Sequence, residues 1–219
     1  MIHAFVSLVP RELLDCSGAV FYSGREAFTG ERPVYLLGLN PGGDPVQMAH
    51  YTVRRQIDQV LTALPERWSA FRDESWQGAR PGAWGMQPRV LHLLRRLRLD
   101  PGEVPASNLA FVRSRGESGL GATARQLAAA CWPFHQRVME GLGVRVVVCF
   151  GRTTGEWVRE RMGARELLGT FVEQNSRRWT SLAHRNSAGL AVVTTTHPSR
   201  VDWTSPRTDP SDLVLQALA

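Results

Sequence analysis

The 219-residue chain is 43% hydrophobic and 21% charged, a balance that suits one sizeable globular α/β domain over residues 1–219 and would leave two domains short of core. No apolar run reaches the roughly 18 to 20 residues of a membrane span, and the opening MIHAFVSLVPRELLD lacks a basic leader region, so a cytoplasmic protein is expected. The net charge is +6 and all 26 basic residues are Arg; without Lys there is no P-loop lysine, no pyridoxal Schiff base and no internal amine for a bifunctional lyase.

In chain order, Val34 to Leu39 reads as a buried strand that runs into the glycine-rich loop GLNPGGDP. A helical pattern follows over Val46 to Leu64. Ser69 to Pro88, rich in Gly, Arg and Trp, has no clean period and reads as a long surface excursion. A helix over Gln87 to Leu99, a strand over Ser107 to Val112, a helix over Thr123 to Leu142 interrupted at Pro133, a strand over Val144 to Phe150 and a helix over Thr153 to Met162 come next. RRWTSLAHRNSAGLAVVTTTHP alternates as two strands with a turn near Asn186 to Gly189, the second covering Leu190 to Thr196, and a short helix closes the chain from Ser211. Strands alternating with helices predict a three-layer α/β/α sandwich with a mainly parallel central sheet. The loops after Leu39, Asn108 to Val112, Phe150 and Thr196 should then converge at its carboxyl edge.

Two of these loops have polar groups on fixed turns. In GLNPGGDP the glycines permit close backbone approach to a ligand, while Pro41 stiffens the turn that carries Asn40, which either orients a water or caps the next helix. In THPSRVDW, His197 stands just past a strand and can donate a hydrogen bond to an oxygen that develops negative charge. Between them, Asn108 in ASNLAFVRSRG offers both a donor and an acceptor to an amide-like ring edge. Arg113 and Arg115 either grip phosphate or form a solvated loop. Cys16, Cys131 and Cys149 form no CxxC pair, so no disulfide framework, metal or cofactor is expected. The basic balance suits nucleic acid as partner.

GLNPG, SNLAF, VRVVVCFGRTT and THPS, in this order and spacing, resemble the uracil-DNA glycosylase superfamily, above all its single-strand-selective monofunctional and mismatch-specific branches. The resemblance covers Tyr35 to Trp203. It implies that Asn40 positions the attacking water, that Asn108 reads the edge of a flipped pyrimidine, and that His197 stabilises charge on its O2. Gly38, Leu39, Pro41, Gly42 and Gly43 would line the base pocket, with Tyr51, Trp84 or Phe111 stacking on the base. Arg113, Arg115, Ser199, Arg200 and Val201 would contact DNA, Arg200 as wedge or phosphate ligand. The implied activity is monofunctional hydrolysis of the N-glycosidic bond of uracil or a 5-modified pyrimidine, by a monomer and without metal. Gly42, where the strictest uracil enzymes carry Tyr, leaves the C5 side open. Excision of hypermodified, for example glucosylated, cytosine in phage defence, or DNA binding with little turnover, are the alternatives. No H-x-E with P-C-x-x-C and no G-x-S-x-G occurs, which excludes a zinc deaminase and a nucleophile-elbow hydrolase.

Overall fold

The computed structural model describes residues 2–219. Its elements are α1 (Ile2–Val6), β1 (Val34–Gly38), α2 (Val53–Thr62), α3 (Ala70–Asp73), α4 (Gln87–Arg96), β2 (Ala106–Asn108), α5 (Ala124–Gly141), β3 (Val146–Phe150), α6 (Arg152–Met162), β4 (Glu166–Val172), β5 (Thr180–Arg185), β6 (Ala191–Thr195) and α7 (Ser211–Leu218). The six strands form one sheet in the order β2-β1-β3-β6-β5-β4. β2, β1, β3 and β6 pair in parallel. β5 is antiparallel to both β6 and β4. The sheet is therefore mixed, with mostly parallel strands and β5 alone running against the rest. The unexpected strand is Glu166–Val172, whose exposed, irregular pattern hides an edge strand from a search for buried runs.

β1 and β3 are fully buried and nearly all apolar, as a strand covered on both faces must be. Their side chains alternate between two clusters. Tyr35, Leu37, Val147 and Cys149 join one with α2 and α5; Val34, Leu36, Val148 and Phe150 join the other with Phe71, α4 and α7.

Three expected boundaries move. The helix expected over Val46–Leu64 begins only at Val53, because the Oγ1 of Thr52 accepts from the Arg55 N–H and caps it there. The strand expected over Ser107–Val112 ends at Asn108; Leu109 and Ala110 N–H still donate to Gly38 O and Leu39 O, and Phe111 to Arg113 then pair with Ser17–Ala19. α5 runs through Pro133 without a break, since Cys131, Trp132, Phe134 and His135 around it are all buried. The hairpin β5–β6 turns at Asn186, whose Oδ1 accepts from Ala188 and Leu190 N–H.

Candidate active site at the carboxyl edge of the sheet

The order β2-β1-β3-β6 sets the ends of the four parallel strands side by side, so Asn108, Gly38 to Gly43, Phe150 and His197 occupy one edge. Asn108 ends β2 in register with Gly38 on β1. A Cβ on Gly38 would lie 2.2 Å from Asn108 Oδ1. Glycine at 38 is thus what lets the Asn108 amide lean across the end of β1, where it is 7% exposed.

Asn40 follows one turn later. Its Nδ2 donates to Ser114 Oγ at 2.8 Å, to Pro41 O at 2.9 Å and weakly to Val112 O at 3.4 Å. Two carbonyl partners fix which end of the amide is nitrogen. Oδ1 is left as the free acceptor, able to hold a water by its hydrogen. The turn itself is braced from the β2 loop: Gly42 bridges Ser114, Arg113 donates to Gly42 O and to Ser17 Oγ, and Arg115 pairs with Asp44. That pairing holds the Asp44 carboxyl below its usual range.

His197 sits after β6, beside Gly151, whose φ of 96° opens α6 and suits only glycine. The Ser199 backbone N–H donates to its Nδ1 at 3.1 Å, with Ser199 Oγ at 2.8 Å. An Nδ1 that accepts leaves the proton of a neutral imidazole on Nε2. Burial, reinforced by Arg200, lowers the pKa of His197 to about 4, while Glu117 opposes the shift. At neutral pH the ring is therefore an uncharged N–H donor. From the flank, Arg89 of α4 donates to Pro198 O and lies 3.8 Å from Asp202, tying down the loop.

An aromatic wall joins the two halves. Tyr22 stacks on Phe71 with centroids 6.1 Å apart, Phe71 meets Trp76 at 6.0 Å and Phe150 at 6.5 Å, and Phe150 meets His197 at 6.4 Å. The Tyr22 phenol lies within reach of the Asn108 amide; burial raises its pKa to about 12, with Arg113 and Asn108 opposing. Beside it, Glu74 accepts from Trp76 Nε1 at 2.9 Å, and desolvation lifts its carboxyl above the ordinary value. Phe71, Glu74 and Trp76 belong to the stretch expected to be a surface excursion. Their signal was Phe71 and Trp76 set close together in a largely polar stretch, which has no period because α3 is only four residues long.

Several expected contacts are corrected by burial. Phe111 is 0% exposed and packs edge-on against Phe134, so it belongs to the core and cannot stack on a ligand. Val201 is 9% exposed within the cluster under α4 and α7, which leaves Ser199 and Arg200 as the exposed residues of that loop. Leu39 points to the opposite face of the sheet from Gly38, where with Leu109 and Trp157 it lines a recess of about 200 Å³. Arg113 is engaged in bracing the Gly42 turn, whereas Arg115, though paired with Asp44, keeps 75% of its side chain exposed. Tyr51, 42% exposed, has His50 and Arg55 as its ring neighbours, and Trp84 is 50% exposed. Another recess, of about 270 Å³ between Val9 and Ile57, touches none of these residues.

Among the described residues, no group of His, Cys, Asp and Glu side chains is arranged to hold a metal ion, and no helix is long and apolar enough to cross a membrane. The chain matches no protein-family model and no curated protein at a significant level.

Proposed function

We propose that this protein is a monofunctional DNA glycosylase, a three-layer α/β/α sandwich of the uracil-DNA glycosylase kind, that hydrolyses the N-glycosidic bond of a flipped uracil or 5-modified pyrimidine. The observation that carries the reading is the division of free valences at one sheet edge. Asn40 has its donor satisfied and its acceptor free, whereas His197 has its acceptor satisfied and its donor free.

That pairing matches the charge flow of the reaction. As the C1′–N1 bond breaks, its electron pair goes to the base and charge gathers on O2, where the neutral Nε2–H of His197 donates. A preorganised donor of this kind is worth roughly 3 to 4 kcal/mol in the transition state. The sugar becomes oxocarbenium-like, electrophilic enough for a water held by Asn40 Oδ1, which adds its oxygen to C1′ and releases a proton to solvent. No strong base is required. Asn108 would read the base edge from across β1, with the Tyr22 phenol beside its amide. The chain contains no Lys, so the product is an intact strand with an abasic site rather than a Schiff-base nick.

Gly42 meets nothing within 4 Å of an added Cβ, which supports an open C5 side and keeps the 5-modified, defence-type substrate beside uracil. The test is base release from single- and double-stranded oligonucleotides carrying uracil, 5-hydroxymethyluracil or glucosylated hydroxymethylcytosine, scored as alkali-labile sites. Asn40→Ala should abolish release while DNA affinity stays within a few fold. Silence of the wild-type protein on every substrate would leave a DNA-binding module.

A further inference from the structure

The turn between β4 and β5 adds a surface to this edge. β4 is antiparallel to β5, and β5 to β6, so β4 runs in the direction of the parallel strands and its carboxyl end lies on the active-site side. The turn from Glu173 to Trp179 is built to hold a shape. Asn175 Oδ1 accepts from both Arg177 and Arg178 N–H at 3.0 Å, its Nδ2 donates to the buried Glu173 at 2.7 Å, and Arg178 takes a left-handed φ of 48°.

This turn is tied to the His197 loop. Gln174 N–H donates to Arg207 O at 2.8 Å and Arg177 Nη1 reaches Arg200 O at 3.4 Å, while Arg200 N–H donates to His197 O at 2.8 Å. Arg177 lies 4.8 Å from the centroid of Trp179, an indole that remains 38% exposed. Among the described residues, Arg177, Arg178, Arg200 and Arg207 are exposed and take part in none of the ion pairs. Nearer the Asn40 turn and α4, by contrast, Arg115 pairs with Asp44 and Arg89 lies 3.8 Å from Asp202.

We infer that this turn is a docking surface for single-stranded nucleic acid flanking the target nucleotide, with an unpaired base stacked on Trp179 and phosphates held by Arg178, Arg200 and Arg207. Charge complementarity selects a polyanion. The exposed indole narrows the choice, because a duplex offers phosphates and groove edges but no free base face, whereas an unpaired nucleotide offers both. The inference takes the strand's course past His197 from the glycosylase reading; the binding itself stands without it.

The experiment measures affinity for an unmodified single-stranded oligonucleotide and for the matching duplex, over a range of salt, for wild type, Trp179→Ala, Trp179→Phe and Arg178→Gln. Trp179→Ala should weaken single-strand binding about ten- to a hundredfold, the range of one lost base stack, and duplex binding by no more than about twofold, with Trp179→Phe restoring most of the loss. Arg178→Gln should flatten the single-strand salt slope by about 0.7, one phosphate contact. Thermal melting checks that each variant is folded. Single-strand affinity unchanged by Trp179→Ala, or equal losses on single strand and duplex, would overturn the assignment. Failure of the glycosylase reading appears separately, as absence of base release from a wild-type protein that still binds the single strand through Trp179.

Discussion

His135 and His197 are both withdrawn from water, and burial is the main reason that the pKa falls in each, to about 3 and about 4 respectively. They differ in what their nitrogens do. His135, at 0% exposure, lies 2.8 Å from the Tyr35 hydroxyl through Nδ1 and 3.2 Å from Leu109 O through Nε2, so both valences are spent inside the core. His197 spends one on its own loop and keeps the other for the sheet edge. A depressed pKa therefore marks desolvation in both regions; the free valence marks the one suited to chemistry.

The largest expected effect breaks that comparison on its active side. Under the glycosylase reading, His197→Ala should lower single-turnover base release by about 100- to 1,000-fold, the usual loss for one preorganised donor. DNA affinity and melting temperature should change little; a loss confined to affinity would reduce His197 to a contact residue.

His135→Leu is the counterpart on the structural side. It strands the Tyr35 hydroxyl and the Leu109 carbonyl, at roughly 1 to 3 kcal/mol for each buried unsatisfied group. Chemical denaturation should show a stability loss of about 2 to 6 kcal/mol. A variant as stable as wild type would mean that the two groups find other partners.

Between the two lies Gly38→Ala, which leaves both histidines in place. The added methyl collides with Asn108 Oδ1, so base release should fall about tenfold or more with far-ultraviolet circular dichroism unchanged. Retained release would show that the Asn108 amide has no part in holding the base.

The smallest effect is set by pH. Both histidines are depressed in the folded state, so the unfolded chain binds more protons wherever the two states differ. Their stabilising contribution is complete above the ordinary value of 6.5 and is lost as pH falls, through about 4 for His197 and about 3 for His135. Melting temperature should decline over that window, less steeply in His197→Ala. A flat profile from pH 7 to pH 4 would contradict both depressed values.

The legible and illegible parts of this site divide along local and non-local lines. Asn40, Asn108 and His197 stand beside buried apolar runs and turn residues, so their place at strand ends could be read from their neighbours in the chain. Tyr22, Phe71 and Trp76 could not. Tyr22 reaches the edge only because its segment lies along β2, its N–H donating to Ala106 O. Phe71 comes from one turn of helix, too short for a period. Phe111 and Val201 went the other way: the resemblance offered one as a stacking residue and the other as a DNA contact, and tertiary packing buried both.

The sequence by itself determined the strands β1, β3 and β6, the glycine turn that carries Asn40 and the exclusion of lysine chemistry, because each depends on residue type or on a short, regular pattern. Only the tertiary structure decided that Glu166–Val172 closes the sheet as a sixth strand, that the arginines after β2 brace the Asn40 turn, and that the β4–β5 turn joins the His197 loop. Those facts depend on which strand lies beside which and where each guanidinium finds a partner. Such contacts join residues far apart in the chain, and no local pattern records them.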